Sequence, residues 1–515
     1  MSEVGPQALD QLPTKAEKPY SALTAVGPWR LWAFRIGAGF TLAVAAQVVT
    51  GAMWWVANLN AIPAYGDTSE YLGLARTLRV DAYRTVLYPL VLRTTHAAAV
   101  RLHLAFPFLL YLLQTAAAVA AIYYLVSTLW RVTATIGWLR LSAVGPRQRR
   151  LVQAAATLTL LTTPLIAHFS TTILSDSLAL SLLVAAVAGV IRIAVLGDES
   201  VGLLVVNLFL ITGAELMRPE KIYVVAPLLG AIVLVLAIKK RKPLLHLLAS
   251  LACLTLLPVV AVGAINHATQ TANYGRPPLS LSTTLFGWTV WPRLAEIRPV
   301  LPADVRNAVS EADANAFDNS VNSAGPIIVQ LRAAGGGTDR LVNETTVAAL
   351  KCCWPAIGLR TAINFMKYSV APITFPVEWY SGVQTPTAWT SSRMAQAHPL
   401  LTRIYLWVAL IVLGLVELPL LGVLLVRAVS QHPPGVPRRA ATAVVAIIAG
   451  LVTLNAGLFA TSSGQDANIR YALPSYLLLG ACLLWADLVA ASSLLLPDRS
   501  ISSHGWDQGV ERKHS

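Results

Sequence analysis

The chain has 515 residues, of which 56% are hydrophobic and only 12% are charged. Soluble globular domains carry about 25% charged residues, so this composition excludes an ordinary soluble enzyme and is typical of an integral membrane protein. The formal net charge of +14 raises the question of nucleic-acid binding. However, the basic residues form no stripe with interleaved aromatic residues, so we expect no nucleic-acid partner.

Long apolar runs recur along the chain. A helix needs about 20 apolar residues to cross a hydrocarbon core of about 30 Å, whereas a barrel of short alternating strands needs no such runs. The sequence therefore predicts an all-α, polytopic integral membrane protein with about ten transmembrane helices. We place the spans near residues 36–57, 105–129, 151–169, 172–195, 201–217, 222–238, 244–266, 403–427, 440–461 and 471–496.

Basic residues are concentrated before the first span and in the connections after the second, sixth and eighth spans. These four places lie on one side of the predicted topology. Short cytoplasmic loops are enriched in Lys and Arg, so we assign that side to the cytoplasm of a multi-pass plasma-membrane protein. The basic residues are Lys15, Lys18, Arg30, Arg35, Arg131, Arg140, Arg147, Arg149, Arg150, Lys239, Lys240, Arg241, Lys242, Arg427, Arg438 and Arg439.

The first external loop, residues 58–104, contains the segment Tyr65-Gly66-Asp67-Thr68-Ser69-Glu70-Tyr71. Asp67 followed three residues later by Glu70 matches a capping box at the start of a helix. A carboxylate held at the start of a helix on the membrane surface is also well placed to act as a general base. The two roles are compatible, and the sequence leaves both open.

The same loop is rich in arginine, which the positive-inside rule does not predict for the non-cytoplasmic side. An anionic ligand would explain this excess. For Arg93 and Arg101 we favour snorkelling to lipid headgroups. Arg84 is followed by the Tyr88-Pro89 turn and is closer to Asp67, so phosphate binding and a structural role are both open. The arginines are Arg76, Arg79, Arg84, Arg93 and Arg101.

Other polar residues stand at span ends on the same predicted side. Each one alone is most often structural. A charged residue at membrane depth costs roughly 2.5 to 3.5 kcal/mol on insertion, so their recurrence on one side favours a functional site. These candidates are His168, Asp176, Arg218, Glu220, Arg470 and Tyr471.

The segment 267–402 is predicted to be an extracytoplasmic loop region without the hydrophobic periodicity of a soluble domain. Its tryptophans suit a cover at the membrane interface, because indole rings favour the headgroup level. The four cysteines of the chain suggest neither a disulfide framework nor a zinc motif, and adjacent Cys352 and Cys353 receive no role. The tryptophans are Trp288, Trp291, Trp354, Trp379 and Trp389.

Taken in order, five short motifs resemble the GT-C superfamily of membrane glycosyltransferases, of the protein-mannosyltransferase and aminoarabinose-transferase type. They cover about half the chain, mainly its first half. The motifs are Gly66-Asp67-Thr68-Ser69-Glu70-Tyr71, Arg84 to Pro89, Leu174-Ser175-Asp176-Ser177-Leu178-Ala179-Leu180, Arg218-Pro219-Glu220 and Arg470-Tyr471-Ala472-Leu473-Pro474.

The resemblance implies an inverting transfer of a hexose or pentose from a polyprenyl-phosphate donor on the extracytoplasmic face. The acceptor would be a cell-envelope glycan, a lipid or a protein. Asp67 would be the general base, and the substrate-binding candidates would be Arg84, Tyr88, His168, Asp176, Arg218, Glu220, Arg470 and Tyr471. Many relatives carry two adjacent acids in the first loop. Here Thr68 follows Asp67, so we assign no metal ligand and no firm cofactor, and a divalent cation has no support from the sequence.

The predicted parts of the chain are a cytoplasmic segment (1–35), a transmembrane catalytic core (36–266), the extracytoplasmic loop region (267–402), C-terminal transmembrane helices (403–496) and a cytoplasmic tail (497–515). Two alternatives to the enzyme stay open. A secondary transporter or flippase for lipid-linked sugars also places charges within the membrane, although such proteins tend to show related halves. A scaffold that only binds a polyprenyl lipid is the other alternative.

Overall fold

The computed structural model describes residues 68–78, 84–136, 146–162, 166, 169–198, 200–218, 260–261, 264–265, 268, 286–315, 324–381, 474 and 477–485. The described residues are all-α, with no strand among them. The helices before residue 220 are α1 (Thr68–Thr77), α2 (Leu87–Leu102), α3 (Phe106–Ile136), α4 (Pro146–Leu161), α5 (Asp176–Ile191) and α6 (Val201–Met217). A π-helical segment, Arg192–Leu196, extends α5.

Within the part of the chain that the structure describes, two helices are long and apolar enough to cross a membrane. They are Phe106–Ala134 within α3 and Asp176–Leu196, which joins α5 to the π-helical segment, with hydropathies of 1.8 and 2.5. They correspond to the spans predicted at 105–129 and 172–195. Helix α6 is apolar but shorter. The spans predicted at 36–57, 222–238, 403–427 and 440–461 lie outside the described residues.

Residues of α1 to α6 form a first hydrophobic core, and α5 is its central helix. It packs against α3 on one side and α6 on the other, and all its residues except Leu182 and Ala185 are buried. A helix that is apolar around its whole circumference must be enclosed by protein or lipid. Helix α4 and the helical residues 477–485 add to the same core. The α5 N-terminus at Asp176 and the α6 C-terminus at Met217 are therefore held at one end of the bundle.

A polar contact fixes α6 against α5. With its amide oriented to satisfy its hydrogen bonds, Asn207 donates to the Ala186 carbonyl at 3.2 Å and accepts from the Val190 amide at 3.1 Å. Gly189 makes room for this contact, because a Cβ there would overlap the Asn207 amide. Small residues let helices approach closely, and polar side chains then bond across the interface.

Replacing Gly189 with Ala is expected to destabilise the protein by about 1 to 3 kcal/mol, because the added methyl group overpacks the contact with Asn207. Gly202 is the matched control, since a Cβ at that position in α6 meets nothing within 4 Å. Thermal unfolding in detergent tests the pair. Equal unfolding temperatures for the two variants would contradict the proposed close approach.

A second hydrophobic core lies within the segment 267–402, which the sequence predicted to be a loop region. Residues 286–357 contain α7 (Leu294–Ile297), α8 (Ala303–Ala308), α9 (Glu311–Asn315), α10 (Ala324–Ala334) and the first half of α11 (Arg340–Ser381). They share a hydrophobic core that includes Phe286, Leu331 and Val342. The sequence showed no hydrophobic periodicity here, since α7, α8 and α9 are only one or two turns long and are too short to show a period.

Two details of this second core differ from the sequence-based reading. Trp291 is 1% exposed and belongs to the core, so it does not form an interfacial cover, whereas Trp354 is 67% exposed. The side chains of Trp288 and Trp379, and the whole of Trp389, lie outside the described residues. Cys352 and Cys353, to which no role was given, are joined by a disulfide within α11.

Candidate functional site at one end of the bundle

The segment 169–175 lies where the third predicted span meets the fourth, and it is buried. Its residues 171–175 have irregular backbone. Ser170, Thr172 and Ser175 are all inaccessible to solvent. Irregular backbone at membrane depth requires hydrogen-bond partners within the protein. Gln114 of α3 supplies them, because its amide nitrogen donates to the carbonyls of Ser170 and Thr172 at 3.0 Å each. The polar side chain in the middle of an apolar helix therefore has a structural purpose.

Helix α1 docks onto this segment by its first two turns. The Thr68 hydroxyl donates to the Ile173 carbonyl at 3.2 Å, and the Tyr71 hydroxyl lies 2.8 Å from the Ser175 hydroxyl. Tyr71 also meets Tyr88 edge to face, with ring centroids 4.9 Å apart. These contacts hold Thr68, the first residue of α1 and the one that follows Asp67, beside the start of α5.

Tyr88 connects α2 to Gln114. Its hydroxyl donates to the Gln114 side-chain oxygen at 3.1 Å, and the side chain is fully buried. Burial, with smaller contributions from Tyr71 and Asp176, raises the pKa of Tyr88 well above its ordinary value. Tyr88 is therefore a neutral hydrogen-bond donor that orients Gln114, and it is not a proton acceptor at neutral pH.

Asp176 and Arg218 form a buried ion pair. The Arg218 Nη2 atom lies 2.5 Å from the Asp176 Oδ1 atom, and the two side chains are 10% and 4% exposed. The pair follows from the antiparallel packing of α5 and α6, because Asp176 begins one helix and Arg218 follows the end of the other. An acid at a helix N-terminus and a base at a helix C-terminus both interact favourably with the helix dipoles.

Arg84 lies on the other side of Tyr71. Its guanidinium is paired with Glu70 and stands over the Tyr71 ring, 5.7 Å from the centroid. The Arg84 side chain is only 14% exposed, while Glu70 is half exposed. The next residue, Thr85, bonds through its hydroxyl to the Leu216 carbonyl at the end of α6. Arg84 is therefore tied to the same end of the bundle as Arg218.

Glu215 was not identified from the sequence. It lies in the last turn of α6, three residues before Arg218, and is 1% exposed. Within the described part of the chain neither of its carboxyl oxygens has a hydrogen-bond partner. A buried acid without partners is costly and calls for an explanation. An acidic residue inside the apolar run 201–217 was the signal that could have identified it.

The structure thus brings four of the predicted site residues to one end of the helix bundle. They are Arg84, Tyr88, Asp176 and Arg218. The other candidates, Asp67, His168, Glu220, Arg470 and Tyr471, lie outside the described residues. Arg84 and Arg218 each contact a carboxylate, and these ion pairs fix the direction of the guanidinium groups.

An apolar crevice adjoins the cluster. Ser170, Ser177 and Ser181 line it together with alanine and larger apolar side chains of α3 and α5. Its cavity volume is only about 10 Å³. A single water molecule needs about 10 to 15 Å³, so in this structure the crevice has no room for a sugar or a lipid chain. Among the described residues, no group of three or more His, Cys, Asp or Glu side chains could hold a metal ion.

No protein-family model matches the chain, and no similar curated protein or solved structure was found.

Proposed function

We propose that the protein is an inverting membrane glycosyltransferase that moves a sugar from a polyprenyl-phosphate donor to an extracytoplasmic acceptor. The observation that carries the proposal is the convergence of Arg84, Tyr88, Asp176 and Arg218 beside the start of α1. These residues come from three of the five motifs that resemble GT-C enzymes. The roles of Asp67 and Arg470, which belong to the other two motifs, and the ten-span topology are part of the proposal.

The chemistry requires two kinds of group. A sugar joined to a lipid phosphate already has a good leaving group, so the enzyme must accept a proton from the acceptor hydroxyl and stabilise the departing phosphate. Asp67 would accept the proton, which is typically worth 10² to 10⁴ in rate. Arg84, Arg218 and Arg470 would stabilise the phosphate, since the planar guanidinium matches its oxygens in a bidentate way.

The described contacts give the two arginines different tasks. Arg218 is fixed by Asp176 and almost inaccessible, so it would contribute a preorganised positive charge at the end of α5 and α6. Arg84 is held by Glu70, and Glu70 is half exposed. The carboxylate of Glu70 can therefore move aside when a phosphate binds, which makes Arg84 the better candidate for direct contact with the donor.

Replacing Arg84 with Lys is expected to weaken binding of a polyprenyl-phosphate sugar about tenfold, because the charge remains but the bidentate contact is lost. Arg93→Lys is the matched control, since Arg93 is an exposed arginine of α2 that we assign to lipid headgroups. Binding of the donor lipid to purified protein in detergent measures both. Equal affinity of the Arg84→Lys variant, the Arg84→Ala variant and the wild type would remove the phosphate role of Arg84.

The proposal also requires that the site faces the non-cytoplasmic side. Single cysteines introduced at positions 67 and 380 of an otherwise cysteine-free protein are expected to react with an impermeant maleimide in whole cells. A cysteine near the cytoplasmic Arg147 should react only after the membrane is opened. Labelling in the reverse pattern would show that the orientation, and with it the assigned site, is wrong.

One observation favours the transporter or flippase alternative. Glu215 is a buried acid one helical turn from the Asp176–Arg218 pair, and ionisable residues in spanning helices commonly form ion or proton paths. The two functions differ in the covalent product. Proteoliposomes that contain a polyprenyl-phosphate sugar and are supplied with extracted cell-envelope acceptors would release free polyprenyl phosphate and form a glycosylated acceptor if the protein is a transferase, and would only redistribute intact donor if it is a flippase.

A further inference from the structure

The disulfide between Cys352 and Cys353 interrupts a helix. Helix α11 runs from Arg340 to Ser381, and its one residue with non-helical backbone angles is Cys353, with φ −129° and ψ 16°. Side chains of neighbouring residues in a helix point about 100° apart, so two adjacent cysteines cannot meet while both keep helical angles. The disulfide therefore requires a local departure from helical backbone angles.

Pro355 lies two residues further along α11 and also disturbs the helix here. A proline inside a helix removes one backbone hydrogen bond, and its ring clashes with the carbonyl four residues earlier, which is that of Lys351. The proline therefore bends the helix across the same residues as the disulfide. Only the disulfide responds to a reductant, so reduction separates the two causes.

The pair is accessible to reagents in solution. Cys352 is exposed and Cys353 is partly exposed, and the Cys352 sulfur lies 3.5 Å from the Ala349 carbonyl. Thiol–disulfide exchange depends on access to the attacked sulfur, so the Cys352 sulfur is the expected point of attack. Cys482, by contrast, is buried in the other core.

We propose that Cys352 and Cys353 form a redox-active pair that exchanges with an external dithiol, and that opening the pair restores helical backbone at Cys353. A thiolate of the dithiol attacks the Cys352 sulfur, the bond between the two cysteines breaks, and the electron pair leaves with the Cys353 sulfur. The second thiol of the dithiol then displaces Cys352. The dithiol becomes a disulfide, two electrons pass to the protein, and two protons end on the cysteine sulfurs. This inference is independent of the proposed sugar transfer.

The first test determines the thiol state. The protein is purified with iodoacetamide present from cell lysis, denatured and digested with trypsin, with and without prior reduction by dithiothreitol. Cleavage after Lys351 and Arg360 isolates residues 352–360. We expect this peptide without alkyl groups and two hydrogen atoms lighter before reduction, and doubly alkylated after it. Complete alkylation before reduction would overturn the proposal.

The second test measures backbone structure by hydrogen exchange in detergent. Reduction of the wild-type protein is expected to slow exchange at the amides of residues 353, 354, 356 and 357 about fivefold, which corresponds to one additional backbone hydrogen bond. Cys353→Ser should show the slow exchange permanently and should not respond to dithiothreitol, while Cys482→Ser should respond like the wild type. Identical hydrogen exchange in the oxidised and the reduced wild-type protein would overturn the proposed change of backbone at Cys353, whatever the variants show.

Discussion

Replacing Asp67 with Asn is expected to lower sugar transfer by about 10²-fold or more while leaving the fold unchanged. General-base assistance accounts for rate factors of 10² to 10⁴, and Asn cannot accept the proton. Helix α1 begins at Thr68, so residue 67 immediately precedes the helix in sequence. Asn is among the best residues at such a position, and it preserves any capping contribution to stability. The measurement is transfer from a polyprenyl-phosphate sugar by purified variants of matched thermal stability.

Two further variants make this result specific. Asp67→Ala removes both the cap and the base, so it is less informative than Asn. Glu70→Gln is the control for the second acid of the segment, because Glu70 pairs with Arg84 and has no assigned role in proton transfer. We expect Glu70→Gln to retain most of the turnover. An Asp67→Asn variant with wild-type turnover would end the assignment of Asp67 as the base.

Removing one partner of the Asp176–Arg218 pair is expected to destabilise the protein by about 3 to 5 kcal/mol, because the remaining charge stays buried without compensation. Asp176→Ala and Arg218→Ala should both show this loss. The double variant Asp176→Leu, Arg218→Met should lose much less than the sum of the two single variants, since residues in direct contact are coupled. Denaturant or thermal unfolding in detergent gives the three values and the coupling between the two sites.

The pair Arg192–Asp198 at the opposite end of α5 provides the comparison. Its side chains are 23% and 30% exposed, so water screens the charges. We expect Asp198→Ala to change the stability far less than Asp176→Ala does, because solvent-screened pairs contribute little. If Asp176→Ala were as mild as Asp198→Ala, the Asp176–Arg218 pair would not be the buried anchor of this end of the bundle.

The apolar spans were the most predictable part of the fold. The runs predicted at 105–129 and 172–195 correspond to α3 and Asp176–Leu196, because a continuous apolar run of this length has few alternatives to a buried or lipid-facing helix. The count of predicted spans also placed Asp176 and Arg218 on the same side of the membrane. Their direct pairing was not predicted, since a span count gives the side on which a residue lies and gives no distance between residues.

Other features depended on packing that the sequence pattern does not encode. Gln114 and Tyr88 stabilise the segment 169–175 through contacts across three elements. Trp291 was assigned to the membrane interface from its residue type, yet it fills the second core. The disulfide of Cys352 and Cys353 was missed, because adjacent cysteines in a helical stretch give no spacing from which a bond could be inferred.

A turnover assay on the purified protein decides whether it transfers sugar from a lipid phosphate, as we propose. Purified wild-type protein in detergent or nanodiscs is incubated with a panel of polyprenyl-phosphate hexoses and pentoses together with extracted cell-envelope acceptors, and the release of polyprenyl phosphate is followed. We expect multiple turnovers with at least one donor, inversion at the anomeric carbon, and loss of the activity in the Asp67→Asn variant. Absence of release from every donor, by protein that binds those donors and retains its thermal stability, would contradict the account.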